Sequence, residues 1–380
     1  MTSWIRAGHV FDGLKDLGPG AVHAHDGVIV ALASADASPP AGVDIVDLGD
    51  RVVSPGLVDV HCHGGGGASF GTDPEPALAM HQSHGTTTIV ASLVSQPLDE
   101  LERQVRRLAR LVTAGELAGI HLEGPWLAPG RKGAHPLRSL RAPACEEVSR
   151  LLDAGQGSVM MVTLAPELEG GVEAVGLLVS RGVVAAIGHT DADLATTRAA
   201  IEAGATGATH LFNAMPPLEH RRPGPLLGLI ADDRVWLELI VDGVHVHLDL
   251  VAETFRRLGE RVVLVSDATA GAGEPDGDYL LGDLLVQVRN GVARLADGGA
   301  IAGSTLTMAT AVRNAIGAGV DWQQALLSAT SGPARYLHLD SGRLLPGRAA
   351  DLVVWDDAWQ VLGVLCRGHW LVKPPGAADI

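Results

Sequence analysis

Two histidines one residue apart, His61 and His63, stand immediately before four glycines, Gly64 to Gly67. In a strand, residues two apart point the same way. His61 and His63 then share one face, and Cys62 turns away into packing. Two imidazoles on one side of a strand end make half of a metal site; the alternative is a pair of hydrogen-bonded histidines closing a strand. The glycines let the following backbone pass close to a ligand. Glu123 interrupts the apolar segment Ile120-His121-Leu122 and precedes Gly124-Pro125. Such a carboxylate is either a hydrogen-bonded structural group or a hard oxygen ligand. His189 follows Ile187-Gly188, and His210 follows Ala208-Thr209, so each closes another apolar segment. Asp267 closes Val263 to Ser266. Beside a metal, a buried carboxylate stays ionised and takes a proton from an acidified water; otherwise it caps the next turn. Four histidines, a glutamate and an aspartate in equivalent places point to one centre rather than six separate coincidences.

Something must bring those places together. Apolar, β-branched segments recur at 58–61, 88–91, 120–123, 160–163, 185–188, 206–209, 237–240 and 263–266, with amphipathic stretches such as 101–111, 146–152, 172–179 and 194–201 between them. Alternating helices and nearly continuous apolar strands predict a buried parallel sheet. Eight repeats suit a (β/α)8 barrel, whose C-terminal face would collect all six residues; a doubly wound sheet is the alternative. The chain ends read as short strands and turns, with Asp26-Gly27 marking a hairpin. The division predicted is a small β-sandwich domain from 1–53 and 339–380 and a catalytic barrel from 54–338. A further hairpin spans Leu284 to Arg294, turning at Asn290-Gly291.

Composition narrows the function classes. The chain has 380 residues and a formal net charge of −16, which argues against a nucleic-acid coat or an anionic membrane surface. No uninterrupted apolar run of spanning length and no signal peptide are expected. Three cysteines without CxxC spacing make a poor disulfide framework and fit a reducing cytoplasm. Sixteen histidines are the first compositional hint of metal or proton chemistry.

The ordered set His61-Cys62-His63, His121-Leu122-Glu123-Gly124-Pro125, Gly188-His189-Thr190, His210-Leu211-Phe212-Asn213-Ala214-Met215 and Ser266-Asp267-Ala268 resembles the amidohydrolase superfamily. Within it, the chain is similar to the N-acetylglucosamine-6-phosphate deacetylases. Lys132-Gly133-Ala134-His135, Asp242-Gly243-Val244-His245 and Ala302 to Leu306 carry the same resemblance. It implies a metal-dependent hydrolase that converts N-acetyl-D-glucosamine 6-phosphate to D-glucosamine 6-phosphate and acetate. Glu123, His189 and His210 match the ligands of the principal divalent metal, and His61 and His63 those of a second ion bridged by Glu123. Zinc is the expected ion, with iron, manganese or cobalt as alternatives. Asp267 matches the catalytic acid/base and His135 the group that polarises the acetyl carbonyl. Asn213, Ala214, Arg221 and His245 match the phosphate end of the substrate site; Arg222 directly follows Arg221. The resemblance also implies a homodimer in which that arginine reaches a neighbouring subunit.

One compositional oddity discriminates within the superfamily. Only three of the 28 basic residues are lysines: Lys15, Lys132 and Lys373. None closes a predicted strand, which argues against the dihydroorotase-like branch that bridges two metals with a carboxylated lysine. Two alternatives remain at this stage. One is a deacetylase of the galactosamine epimer or another N-acyl amino-sugar phosphate. The other is a catalytically silent sugar-phosphate-binding scaffold.

Overall fold

In the computed structural model, which describes residues 2–375, eight parallel strands lie side by side in chain order. They are β1 (Leu57–Cys62), β2 (Thr86–Val94), β3 (Gly119–Glu123), β4 (Val159–Leu164), β5 (Val184–Ile187), β6 (Gly207–Ala208), β7 (Trp236–Ile240) and β8 (Val262–Val265). Each coincides with one of the apolar segments expected from the sequence. Nearly every residue of these strands is buried, because helices cover one face and side chains fill the other.

The ladder does not run directly from β8 to β1. Low in the barrel, Leu264 N–H donates to Ser328 O at 2.8 Å and Val58 N–H to Ala329 O at 2.9 Å, so a wedge of backbone bridges the two strands. At the C-terminal end they meet directly, where Asp267 N–H donates to His61 O at 2.9 Å. The buried Asp59 carboxylate ties the same seam, accepting from the N–H groups of His61 and Ser266. Barrel closure and the placement of His61 against Asp267 are therefore one structural event.

Outside the barrel, strands Thr2–Ala7, Gly20–His25, Val28–Ser34 and Asp44–Asp47 form one sheet. Strands His9–Val10, Val52–Pro55, Leu352–Trp355, Val361–Cys366 and His369–Val372 form another. The two share an apolar core of residues from both chain ends, among them Ile5, Val22, Val53, Leu344, Leu352 and Leu365. Strand Val52–Pro55 continues this sheet two residues past the boundary expected at 53. The hairpin expected from 284 to 294 is present, and joins strand Asp278–Leu281 in a three-stranded sheet. That sheet covers the barrel mouth through Leu281. No helix among the described residues is long and apolar enough to cross a membrane.

Candidate active site

A cavity of about 340 Å³ opens at the C-terminal end of the barrel. Its walls include His63, Glu123, His135, His189, His210, Asn213, Ala214, His245 and Asp267. His61 lies just beneath, fully buried. The sequence-derived candidates thus converge, with Arg221 the exception. Its exposed side chain borders a neighbouring cavity of about 720 Å³ together with Arg198 and Arg222, and does not line the first.

Glu123 stands at the centre. Its Oε1 is 3.1 Å from both His189 Nε2 and His210 Nε2, which are 3.0 Å from each other. Its Oε2 is 3.1 Å from His63 Nε2. His61 Nε2 completes a second group, 3.2 Å from His63 Nε2 and 3.6 Å from Glu123 Oε1. Asp267 Oδ1 faces both of these imidazoles, at 3.4 Å from His61 and 3.3 Å from His63.

These donors fit a divalent cation. His189 Nδ1 must carry its proton, because its partner, the Arg131 carbonyl oxygen at 2.7 Å, can only accept. Its Nε2 therefore presents a lone pair to Glu123 and His210. Burial opposes charge on His61 and His63, yet Asp267 and Glu123 outweigh it and pull both imidazoles upward. The cluster thus favours positive charge where a metal ion would supply it. Burial likewise opposes ionisation of Glu123 and Asp267, but neighbouring imidazoles hold Glu123 well below the carboxylate range and Asp267 down to about 2.

His135 is close enough to be mistaken for a ligand, with Nε2 3.2 Å from Glu123 Oε2. Its other nitrogen settles the matter. Nδ1 accepts a hydrogen bond from the Ser95 backbone N–H at 3.2 Å and meets Ser95 Oγ at 2.9 Å. The neutral ring must carry its proton on Nε2, aimed into the cavity. Burial keeps it neutral by pushing its pKa down to about 4. His135 is therefore built as a hydrogen-bond donor. His245 also lines the cavity, and its Nδ1 donates to Asp242 Oδ2 at 2.7 Å. Burial disfavours its charged form, but the Asp242 partner overrides this and raises the pKa. That combination suits anion binding.

Loop backbone adopts costly conformations to achieve this arrangement. His189, His210, Phe212, Ala214 and Asp267 all have positive φ, between 31° and 78°. Such residues persist only where their surroundings hold them. The loop at Gly303-Ser304 braces Asp267: Ser304 N–H donates to Asp267 O at 2.8 Å, and a side chain at Gly303 would strike that oxygen at 2.6 Å.

One expectation needs correction. The glycines after His63 do not approach the cavity. A Cβ on Gly65 would lie 2.3 Å from Met80 Cε, and one on Gly64 would meet Ala68 O, so they admit neighbouring chain rather than a ligand. His81, on the helix Pro74–Ser83, is wholly buried and bonds to Gly64 O at 3.0 Å. Several site residues escaped sequence reading altogether. Ser95 and the Arg131 carbonyl act through contacts between distant segments that no local motif announces. His121, quoted for its motif alone, lies in a buried chain from Ser92 through its own ring to Thr163 and Thr209. Glu238 had a signal: like Glu123, it is a lone carboxylate in an apolar strand. The three lysines all lie outside the barrel interior, and Lys132 follows the short turn Pro129–Arg131.

Fold and site together define a barrel hydrolase with a metal-capable His/Glu/Asp centre at its mouth. The amidohydrolase family model matches residues 52–371, and the chain belongs to that family. It is 37% identical over 355 residues to an N-acetylgalactosamine-6-phosphate deacetylase of Escherichia coli O157:H7, covering 90% of this chain and 92% of that one. It is 34% identical over 355 residues to an N-acetylglucosamine-6-phosphate deacetylase of Vibrio furnissii, covering 90% and 88%. Among solved structures, an aspartate-to-alanine variant of the Mycobacterium smegmatis N-acetyl-D-glucosamine-6-phosphate deacetylase, in complex with N-acetyl-D-glucosamine 6-phosphate, superposes with a TM-score of 0.94. It shares 46% identity and covers 98% of this chain and 100% of that one.

Proposed function

We propose that this protein hydrolyses the acetamide of N-acetyl-D-glucosamine 6-phosphate, releasing D-glucosamine 6-phosphate and acetate. The observation that carries the reading is the junction of three elements in one cavity: the Glu123-centred cluster, the Nε2–H donor of His135 and the acidic-paired His245. They correspond to an electrophilic centre, an oxyanion donor and an anion anchor.

Glu123, His189 and His210 would hold a divalent ion, which when bound would supply Lewis acidity to the acetyl carbonyl and to the attacking water. Zinc is the ion we expect there, with iron, manganese and cobalt compatible with the same imidazole and carboxylate donors, since availability decides among them. His61 and His63, sharing Glu123, would hold a second. Asp267 takes the water's proton as the C–O bond forms. His135 Nε2–H donates to the oxyanion, where a preorganised donor acts on charge absent from the ground state. As the C–N bond breaks, Asp267 returns the proton to the departing nitrogen. His245, Asn213 and the backbone around Ala214 orient the phosphate end, so binding energy far from the acetyl group is used to position it. Arg221, exposed and outside its own chain's cavity, serves the phosphate of a second subunit in a homodimer. Arg suits that role because its planar fork binds two oxygens. The described residues of the chain ends 1–53 and 339–380 act as one domain supporting the barrel of 54–338, a division supported by their common apolar core; residue 1 and residues 376–380 lie outside the described residues.

Deacetylation of N-acetylgalactosamine 6-phosphate is a second reading, favoured by the similarity to the E. coli enzyme. Comparing kcat/KM for acetate release from the two epimers separates them. A higher value for the gluco epimer supports the first reading, and a higher value for the galacto epimer supports the second.

A further inference from the structure

Glu238 lies at the middle of β7, with no solvent exposure. A carboxylate in such a place is costly unless its oxygens are satisfied. One of the two Glu238 carboxylate oxygens and its backbone carbonyl face the His/Glu cluster. Oε2 is 3.0 Å from His61 Nδ1 and 3.4 Å from the backbone nitrogen of His210. The Glu238 carbonyl accepts from Leu211 N–H at 2.8 Å. One residue therefore touches a side chain from the His61/His63 pair and the turn that presents His210.

The opposite side of the carboxylate is also built. Tyr336, buried at the end of helix Ser331–Tyr336, reaches under the barrel, placing its hydroxyl 3.5 Å from Glu238 Oε1 and 3.2 Å from Met161 Sδ. It can do so only because residue 207 is glycine: a Cβ there would lie 2.0 Å from the Tyr336 oxygen. The hydroxyl has a prepared path to the carboxylate.

We infer that Glu238, backed by Tyr336, is the positioning residue for metal binding at His61 and His63. Hydrogen bonding fixes a histidine's tautomer through the nitrogen that does not bind metal. A carboxylate at Nδ1 keeps the proton there and leaves the Nε2 lone pair facing His63, Glu123 and Asp267. Without it, the proton is free to move to Nε2, where it blocks coordination. Carboxylate contact also makes the imidazole a stronger donor. The inference rests on reading His61 and His63 as ligands of a second ion.

The test is a metal titration of the full chain with zinc against a chromophoric chelator, comparing wild type, Glu238→Gln and His61→Asn. Wild type is expected to bind two ions per chain, and His61→Asn one. Glu238→Gln should weaken one ion by about 10- to 100-fold, as loss of such a partner typically does, and leave the other within about twofold. Adding Glu238→Gln to His61→Asn should change nothing further in the remaining ion. Two equally weakened ions would indicate a general structural role and overturn the inference, as would a titration matching wild type. If wild type binds a single ion that His61→Asn leaves unchanged, the second-ion reading fails, and the inference with it. Should Glu238→Gln not fold, Tyr336→Phe keeps the carboxylate and removes its brace. A severalfold weakening confined to the same ion supports the inference; no change overturns it.

Discussion

Replacing His135 with alanine separates catalysis from metal binding. By distance alone, His135 belongs with Glu123 and His189 as a possible metal trio. Its hydrogen bonding says otherwise: Nδ1 accepts from Ser95 N–H, so the cavity-facing Nε2 is a donor without a lone pair to offer. The loss expected on removing it is that of one oxyanion donor, about 10²- to 10³-fold in kcat, or about 3–4 kcal/mol. KM should change little, because the charge it stabilises develops only in the transition state. Metal content and affinity should stay at wild-type values. The donor should also be insensitive to pH through the neutral range, since burial holds the His135 pKa near 4. Steady-state acetate release and metal analysis on one preparation of His135→Ala give both readings. Loss of a bound ion, or a kcat within about tenfold of wild type, refutes the tautomer argument.

Asp267→Asn should keep fold and metal while lowering kcat by about 10²- to 10⁴-fold, the range for a lost proton-transfer group; near-wild-type turnover would remove Asp267 from that role. Arg221→Ala should raise KM for the phosphorylated sugar far more than for an unphosphorylated analogue. If the arginine acts across subunits, mixing Arg221→Ala with Asp267→Asn and allowing exchange should restore activity that neither shows alone, and failure to do so argues for action within one chain. His81 offers a stability prediction. Burial outweighs its bond to Gly64 O and lowers its folded pKa to about 4, below the unfolded value of about 6.5. The folded state binds fewer protons between those limits, so the stability it contributes is present above pH 6.5 and is lost as pH falls to 4. The loss is about 3 kcal/mol. His81→Gln should flatten that part of the stability–pH curve in denaturant titrations, and an unchanged slope would contradict the assignment.

The centre was legible in the sequence because barrel geometry converts a one-dimensional rule into a three-dimensional one. A polar residue closing an apolar parallel strand must emerge at the C-terminal rim, so His189, His210, Glu123 and Asp267 could be gathered before their distances were known. The groups that tune them were not legible, because each contact joins distant segments. Glu238 meets His61 across 177 positions, and Ser95 meets His135 across 40. Which nitrogen of His135 carries the proton depends on one backbone N–H. The glycines after His63 were correctly read as demanding close approach, but what approaches is Met80 and Ala68. Arg221 borders the neighbouring cavity instead of the first, which is the position expected if, as proposed, it serves the phosphate of a second subunit.

The central claim is that a divalent ion and this barrel mouth together cleave the acetamide of N-acetylglucosamine 6-phosphate. Its most direct test measures acetate and free amine from that substrate with one preparation before chelation, after it, and after zinc is restored. The account predicts equal amounts of acetate and glucosamine 6-phosphate, abolished by chelation and recovered with metal. No acetate from folded, metal-loaded protein, or release that persists undiminished once the metal is gone, would contradict it.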